Sequence, residues 1–82
     1  MTTMVEIVKA QNISNVKQVS AKSRFNPLGN YCVVEMMSGS LLHVGSRYDT
    51  DLEMQVFYAQ DVKWVGVESA DFNDIVKYLE GL

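Results

Sequence analysis

The chain has 82 residues, which is room for one hydrophobic core, and we therefore expect a single domain over 1–82. Hydrophobic residues make up 48% of the sequence and charged residues 21%, a composition that excludes an intrinsically disordered chain. One cysteine and one histidine exclude both an internal disulfide and a four-ligand zinc site.

The formal net charge of -3 is distributed unevenly along the chain. Residues 1–30 hold four basic side chains and one acidic one, whereas residues 31–82 hold three basic and nine acidic ones. A net negative charge disfavours a dedicated nucleic-acid binder, because phosphate contacts require clustered Lys and Arg. The asymmetry would suit a charged partner, or protomers that associate head to tail.

The first residues show no basic segment followed by an apolar run, and no apolar stretch approaches the roughly 20 residues that span a bilayer. We therefore expect a cytoplasmic protein without a membrane partner.

Residues 5–10, VEIVKA, are short and β-branched, and we find no capping signal ahead of them, so they predict a strand. From Val16 to Phe25 apolar and polar residues alternate, which predicts a second, more polar strand near a sheet edge. The alternative is one helix across 4–22, since several valines there partly fit a 3.6-residue period.

Residues 26–30, with the only proline, predict a turn. Two apolar β-prone runs then flank Ser38 and Gly39, the pattern of a hairpin with a two-residue loop. That loop would place Val34 opposite His43. One face would carry Cys32, Val34, Met36, Leu41 and His43, and the other Tyr31, Val33, Glu35, Met37, Leu42 and Val44.

Residues 46–53 are polar and acidic and predict a loop. The runs 54–60 and 62–68 predict a second hairpin or a long bent strand, with Gly66 as a bulge.

The C-terminal segment predicts an amphipathic helix, because its apolar residues recur at helical spacing. These residues are Phe72, Ile75, Val76, Leu79 and Leu82. Ser69 or Asp71 would cap its start, and Gly81 would end it.

Few residues suggest chemistry. On the predicted hairpin Cys32 and His43 would share a face, but their neighbours there are apolar, which favours a core cysteine over a catalytic dyad. Asp49, Asp51 and Glu53 alternate, yet they lack the glycine and final acid of a calcium loop, so we expect a solvated acidic loop. We therefore predict no enzyme, no catalytic residue, no metal and no cofactor.

The remaining predictions concern binding. One helix can cover only one face of the expected antiparallel sheet of four to five strands, and both sheet faces read as apolar. We expect an α+β fold with the C-terminal helix on one face, or alternatively a small curled β-barrel plus a helix. The function expected is a non-enzymatic interaction or regulatory module that self-associates through its sheet and also binds another protein. The interface candidates are Tyr31, Val33, Met37, Leu42, Val44, Tyr58 and Trp64.

The alternative function is binding of RNA or single-stranded nucleic acid on a small barrel-like surface. Its candidates are Lys17, Lys22, Arg24 and Phe25, which combine basic side chains with an aromatic ring that could stack on bases.

Overall fold

The computed structural model describes residues 3–21, 31–61, 63 and 65–82. Its elements are α1 (Met4–Ala10), β1 (Val16–Ala21), β2 (Tyr31–Met36), β3 (Leu41–Asp49), β4 (Met54–Gln60), β5 (Gly66–Ser69) and α2 (Phe72–Glu80). The strands form one antiparallel sheet in the order β1-β2-β3-β4-β5. The α+β prediction is confirmed. The barrel alternative is wrong, because β1 and β5 are the two edges of this described sheet and do not pair with each other.

The N-terminal segment is a helix, so the predicted strand over 5–10 is wrong. Thr3 and Glu6 have the spacing of a capping box, and the Thr3 hydroxyl accepts a hydrogen bond from the Glu6 backbone N–H at 3.3 Å. The longer helix over 4–22 is wrong too. Asn12 takes a left-handed conformation with φ 50°, which ends α1 and lets the chain enter β1.

The β2–β3 hairpin has a three-residue loop rather than the predicted two-residue one. The Gly39 N–H donates to the Met36 carbonyl at 2.9 Å, and Gly39 has φ 93°, the geometry of a type I turn followed by a glycine bulge. Val34 consequently lies opposite Leu42, and His43 lies opposite Val33. The predicted division of β3 residues between the two faces is therefore wrong, because a shift of one residue exchanges the faces.

Both described helices pack on the same face of the sheet. The core between them and the strands comprises Met4, Val8, Ile13, Val19, Cys32, Val34, Met36, Leu42, Val44, Ala59, Ile75 and Leu79. α1 lies over β1 and β2, and α2 lies over β4 and β5. The helical pattern predicted for α2 is confirmed: Asp71 caps its start, Gly81 ends it, and the Phe72 ring packs edge-on against Phe57 at 5.2 Å.

The β3–β4 hairpin projects beyond its neighbours. β3 continues to Asp49, so the predicted loop over 46–53 is wrong for its first half. Described pairing of β3 with β2 ends at Gly45, and pairing of β4 with β5 ends at Phe57. Residues 46–56 therefore form a two-stranded extension, which we call the arm.

The prediction of a second hairpin is confirmed by β4 and β5, whose register is regular from Phe57–Ser69 to Gln60–Gly66. Gly66 is not a bulge. A Cβ at this position would overlap the backbone carbonyl of Ala59, so glycine is required by a close approach of two strands. Within the described residues, none of the helices has the length and hydrophobicity needed to cross a membrane.

Candidate functional site

The described helices leave the opposite face of the sheet uncovered, and we call this face the open face. Strand register assigns to it Gln18, Ser20, Tyr31, Val33, Glu35, Leu41, His43, Arg47, Asp49, Met54, Val56, Tyr58, Gln60 and Glu68. Half of these side chains are half-buried by their neighbours, Val56 is buried, and the others, including the polar Gln18 and Ser20 on the edge strand β1, are exposed.

Aromatic side chains occupy the centre of the open face. Gly45 on β3 pairs with Tyr31 on β2 and with Tyr58 on β4. A residue without a side chain therefore lies between the two tyrosines. The Tyr31 and His43 rings are 5.6 Å apart and tilted by 55°. Burial, together with the nearby Tyr31 and Cys32, raises the pKa of Tyr58, and Arg47 partly opposes this effect. The Tyr58 hydroxyl therefore remains neutral at physiological pH.

Charged side chains lie at the edges of this face. Lys17 approaches Glu35 at 3.7 Å across β1 and β2, and Arg47 approaches Asp49 at 3.5 Å. Arg47 also forms an ion pair with Glu68, to which its Nε donates at 3.0 Å, and the hydrogen bond to Glu68 is the main reason that the pKa of Arg47 is raised. Because these pairs are solvent-exposed, they contribute little to stability. They surround the aromatic centre with paired charges.

The structure places three interface candidates, Tyr31, Val33 and Tyr58, together on the open face. Sequence reasoning did not assign Leu41 and His43 to that surface. Had the loop been taken as three residues with glycine at the third position, the register would have placed Leu41 and His43 on the same face as Tyr31.

The other interface candidates lie elsewhere. Leu42 and Val44 are in the core beneath the helices, 4% and 0% exposed. Their assignment to the same face as Tyr31 followed from the wrong register. Met37 is in the β2–β3 turn and is 66% exposed, and Trp64 lies outside the described residues.

Cys32 and His43 point to opposite faces of the sheet, so the prediction that they share a face is wrong. Cys32 is fully buried in the core, and burial raises the pKa of its thiol from 9.0 to about 12. A neutral buried thiol is a poor nucleophile. His43 lies beside Tyr31 on the open face, and the two residues form no dyad.

Of the nucleic-acid candidates, Lys17 is exposed and paired with Glu35. Lys22, Arg24 and Phe25 lie outside the described residues.

The acidic run ends β3 and forms the tip of the arm. The Asp49 carboxylate accepts hydrogen bonds from the backbone N–H groups of Asp51 and Leu52, at 2.9 Å and 3.1 Å, which shapes the turn. Glu53 completes the turn with a left-handed φ of 54°. Over the part of the chain that the structure describes, no group of three or more His, Cys, Asp or Glu side chains is placed to hold a metal ion.

A groove of about 440 Å³ separates α1 from the edge strand β1. Its apolar wall is formed by Val8, Ile13, Val16 and Val19. Lys9 and Lys17, both exposed, flank this wall. The apolar wall is largely buried, since Val8, Ile13 and Val19 are only 2%, 8% and 9% exposed. The accessible lining of the groove is mainly polar and carries two positive charges at its border.

Comparison with known proteins finds no matching family model, and neither a curated protein nor a solved structure is significantly similar to this chain.

Proposed function

We propose that this protein is a non-enzymatic interaction module that self-associates through the open face of its sheet. The observation that carries this proposal is that both described helices pack on one face, while aromatic and aliphatic side chains gather on the other. A sheet face of this composition is stabilised when a second surface removes it from water.

The arrangement of side chains supports a second copy as the occupant. Tyr31, His43 and Tyr58 form an aromatic centre, and the charges at the edges are largely paired. Interfaces between proteins are typically aromatic and poor in charge at the centre, with a polar rim. Since each edge holds both signs of charge, two copies can face each other without strong like-charge repulsion.

The size of the face sets the expected strength. Five strands of about six residues cover roughly 500 Å², from a strand spacing of about 4.8 Å and a rise of about 3.3 Å per residue. Interfaces of standard size bury about 800 Å² per partner. We therefore expect a weak dimer whose population depends on protein concentration, as suits a regulatory module that exchanges partners.

Binding of single-stranded nucleic acid is the alternative that the same aromatic rings suggest, because sheet aromatics can stack on bases. Glu35, Asp49 and Glu68 argue against it, since their carboxylates would repel phosphates approaching the open face. We treat nucleic-acid binding as an outcome of the test.

The test measures solution mass by light scattering and sedimentation over a range of concentrations, in about 0.5 M salt so that contacts between exposed charges are screened. We expect the native chain to pass from monomer to dimer as its concentration rises. Leu41→Lys and His43→Lys on the open face should shift this transition at least tenfold to higher concentration. Val65→Lys is the matched control, since Val65 is 62% exposed and lies outside the open face.

A native chain that remains monomeric at the highest soluble concentration would refute the proposal. So would a monomer-to-dimer transition at the same concentration in all three variants. Salt-sensitive retention of a single-stranded oligonucleotide that is lost in Tyr31→Ala, which removes a stacking ring without changing the charge, would favour the alternative function.

A further inference from the structure

We infer that the arm of one copy binds the α1–β1 groove of a second copy, so that chains also associate head to tail. This inference rests on the proposed self-association but uses surfaces separate from the open face. It names the second site through which that association takes place.

The arm presents one apolar side chain between two carboxylates. Leu52 is 61% exposed at its tip, and Asp51 and Glu53 on either side are exposed as well. The Asp51 and Leu52 backbone N–H groups donate to the Asp49 carboxylate, which stabilises this turn. A preorganised tip loses little conformational entropy when it binds.

The groove has the complementary character. Its apolar wall is largely buried, so an aliphatic side chain would contact it only at the bottom of a mainly polar groove. The volume of about 440 Å³ lies within the range of small binding pockets, which begins near roughly 300 Å³. Lys9 and Lys17 at its border match the two carboxylates that flank Leu52. The pairing of Lys17 with Glu35, at 3.7 Å and solvent-exposed, is too weak to prevent a second carboxylate from binding.

The arm cannot reach the groove of its own chain. Val16 and Val19 in the groove lie opposite Met36 and Val34, at the end of the sheet where β2 turns into β3. The arm extends beyond the opposite end, past Gly45. About ten residues of extended strand, roughly 33 Å, separate the two ends.

The contact is therefore intermolecular and heterologous, because each copy contributes an arm to one neighbour and a groove to another. Such a contact repeats into a ring or an open chain. It also uses the charge asymmetry of the sequence, since the groove belongs to the basic residues 1–30 and the arm to the acidic residues 31–82.

The experiment uses the Leu41→Lys chain, in which the open-face contact is weakened, at about 0.05 M salt, where charge contacts are strong. One variant neutralises the arm, Asp51→Asn with Glu53→Gln. A second neutralises the groove, Lys9→Gln with Lys17→Gln. A third, Lys77→Gln with Glu80→Gln, removes the same types of charge from exposed positions in and beside the last turn of α2.

We expect the Leu41→Lys chain and its α2 variant to form species larger than dimers. The arm variant and the groove variant should each associate at least tenfold more weakly than the Leu41→Lys chain. Mixing the two variants should restore association, because the groove variant still has an intact arm and the arm variant still has an intact groove. Association should stop at the dimer, since each chain then has only one intact surface. This rescue excludes misfolding as the cause of the losses.

The inference is overturned if the arm and groove variants behave like the α2 variant, or if their mixture does not associate. In either case a native chain that still dimerises in about 0.5 M salt leaves the open-face proposal standing. A native chain that is monomeric under both conditions removes both proposals.

Discussion

The side-chain amide of Asn15 donates a hydrogen bond of 2.7 Å to the backbone carbonyl of Leu79, 64 residues later in the chain. The same NH2 group donates to the Leu82 carbonyl at 3.3 Å, and the backbone carbonyl of Asn15 accepts from the Met37 backbone N–H at 2.8 Å. The Leu79 carbonyl also accepts from the Leu82 backbone N–H at 3.2 Å, so Asn15 adds a second donor at the C-terminal end of α2, where the helix itself offers few. The loop between α1 and β1 is thereby joined to α2 and to the β2–β3 turn.

Replacing Asn15 should reduce the free energy of unfolding. Asn15→Ala removes the side-chain donor and should cost about 1 kcal/mol, because the part-buried bond to Leu79 is lost while the Leu79 carbonyl keeps its bond from the Leu82 N–H. Asn15→Asp should cost more, since it places a carboxylate at the negative end of the α2 dipole. Urea unfolding measures both changes. Ser14→Ala, at an exposed neighbouring position, is the control, and an Asn15→Asp chain as stable as the native one would contradict this role.

The capping residues of α1 should account for its formation. Thr3→Ala should lower the free energy of unfolding by about 1 kcal/mol, because the Glu6 N–H loses its acceptor. Asn12→Gly should be neutral or stabilising, and Asn12→Val strongly destabilising, since a β-branched residue is disfavoured at φ 50°. Thermal unfolding of the three chains checks the order, and an Asn12→Val chain equal to Asn12→Gly would show that α1 does not end in this way.

The two glycines of the hairpins should respond differently to alanine. Gly66→Ala places a Cβ against the Ala59 carbonyl, a backbone group that cannot move aside, and should cost about 3 kcal/mol. Gly39→Ala meets no atom within 4 Å and should cost only about 1 kcal/mol, from its φ of 93°. Chemical denaturation of both variants gives the comparison. The reverse order would show that the β4–β5 register differs from the one described.

Cys32 should make stability depend on pH in alkaline solution. Burial raises the pKa of the folded thiol from 9.0 to about 12, so the thiol ionises in the unfolded chain first. Its stabilising contribution is fully present below pH 9 and is lost as the pH rises towards 12. The difference in unfolding free energy between the native chain and Cys32→Ala should therefore shrink between about pH 9 and pH 11. A constant difference would mean that the thiol is solvated.

The same burial should protect Cys32 from alkylation. We expect the native protein to react at pH 8 far more slowly than the urea-unfolded chain, because the reactive thiolate is not formed in the core. Equal rates would show an accessible thiol and would reopen the catalytic interpretation.

Local patterns were sufficient for part of the fold. The spacing of Phe72, Ile75, Val76 and Leu79 predicts α2, because an amphipathic helix is specified by the period of its own residues. The caps of α1 were also present in the sequence, in Thr3 and Asn12, although the β-branched run between them resembles a strand. The candidate site was predicted only in part, as Tyr31, Val33 and Tyr58.

Taken alone, the sequence determined the α+β class, the presence of strands and the amphipathic helix that covers them, because each depends on composition and local period. Only the tertiary structure decided which side of each strand faces the helices. Alternation has a period of two, so a single additional residue in the β2–β3 turn moves His43 to the open face and buries Val44. The arm and the groove likewise arise from contacts between elements distant in sequence, which local patterns do not encode.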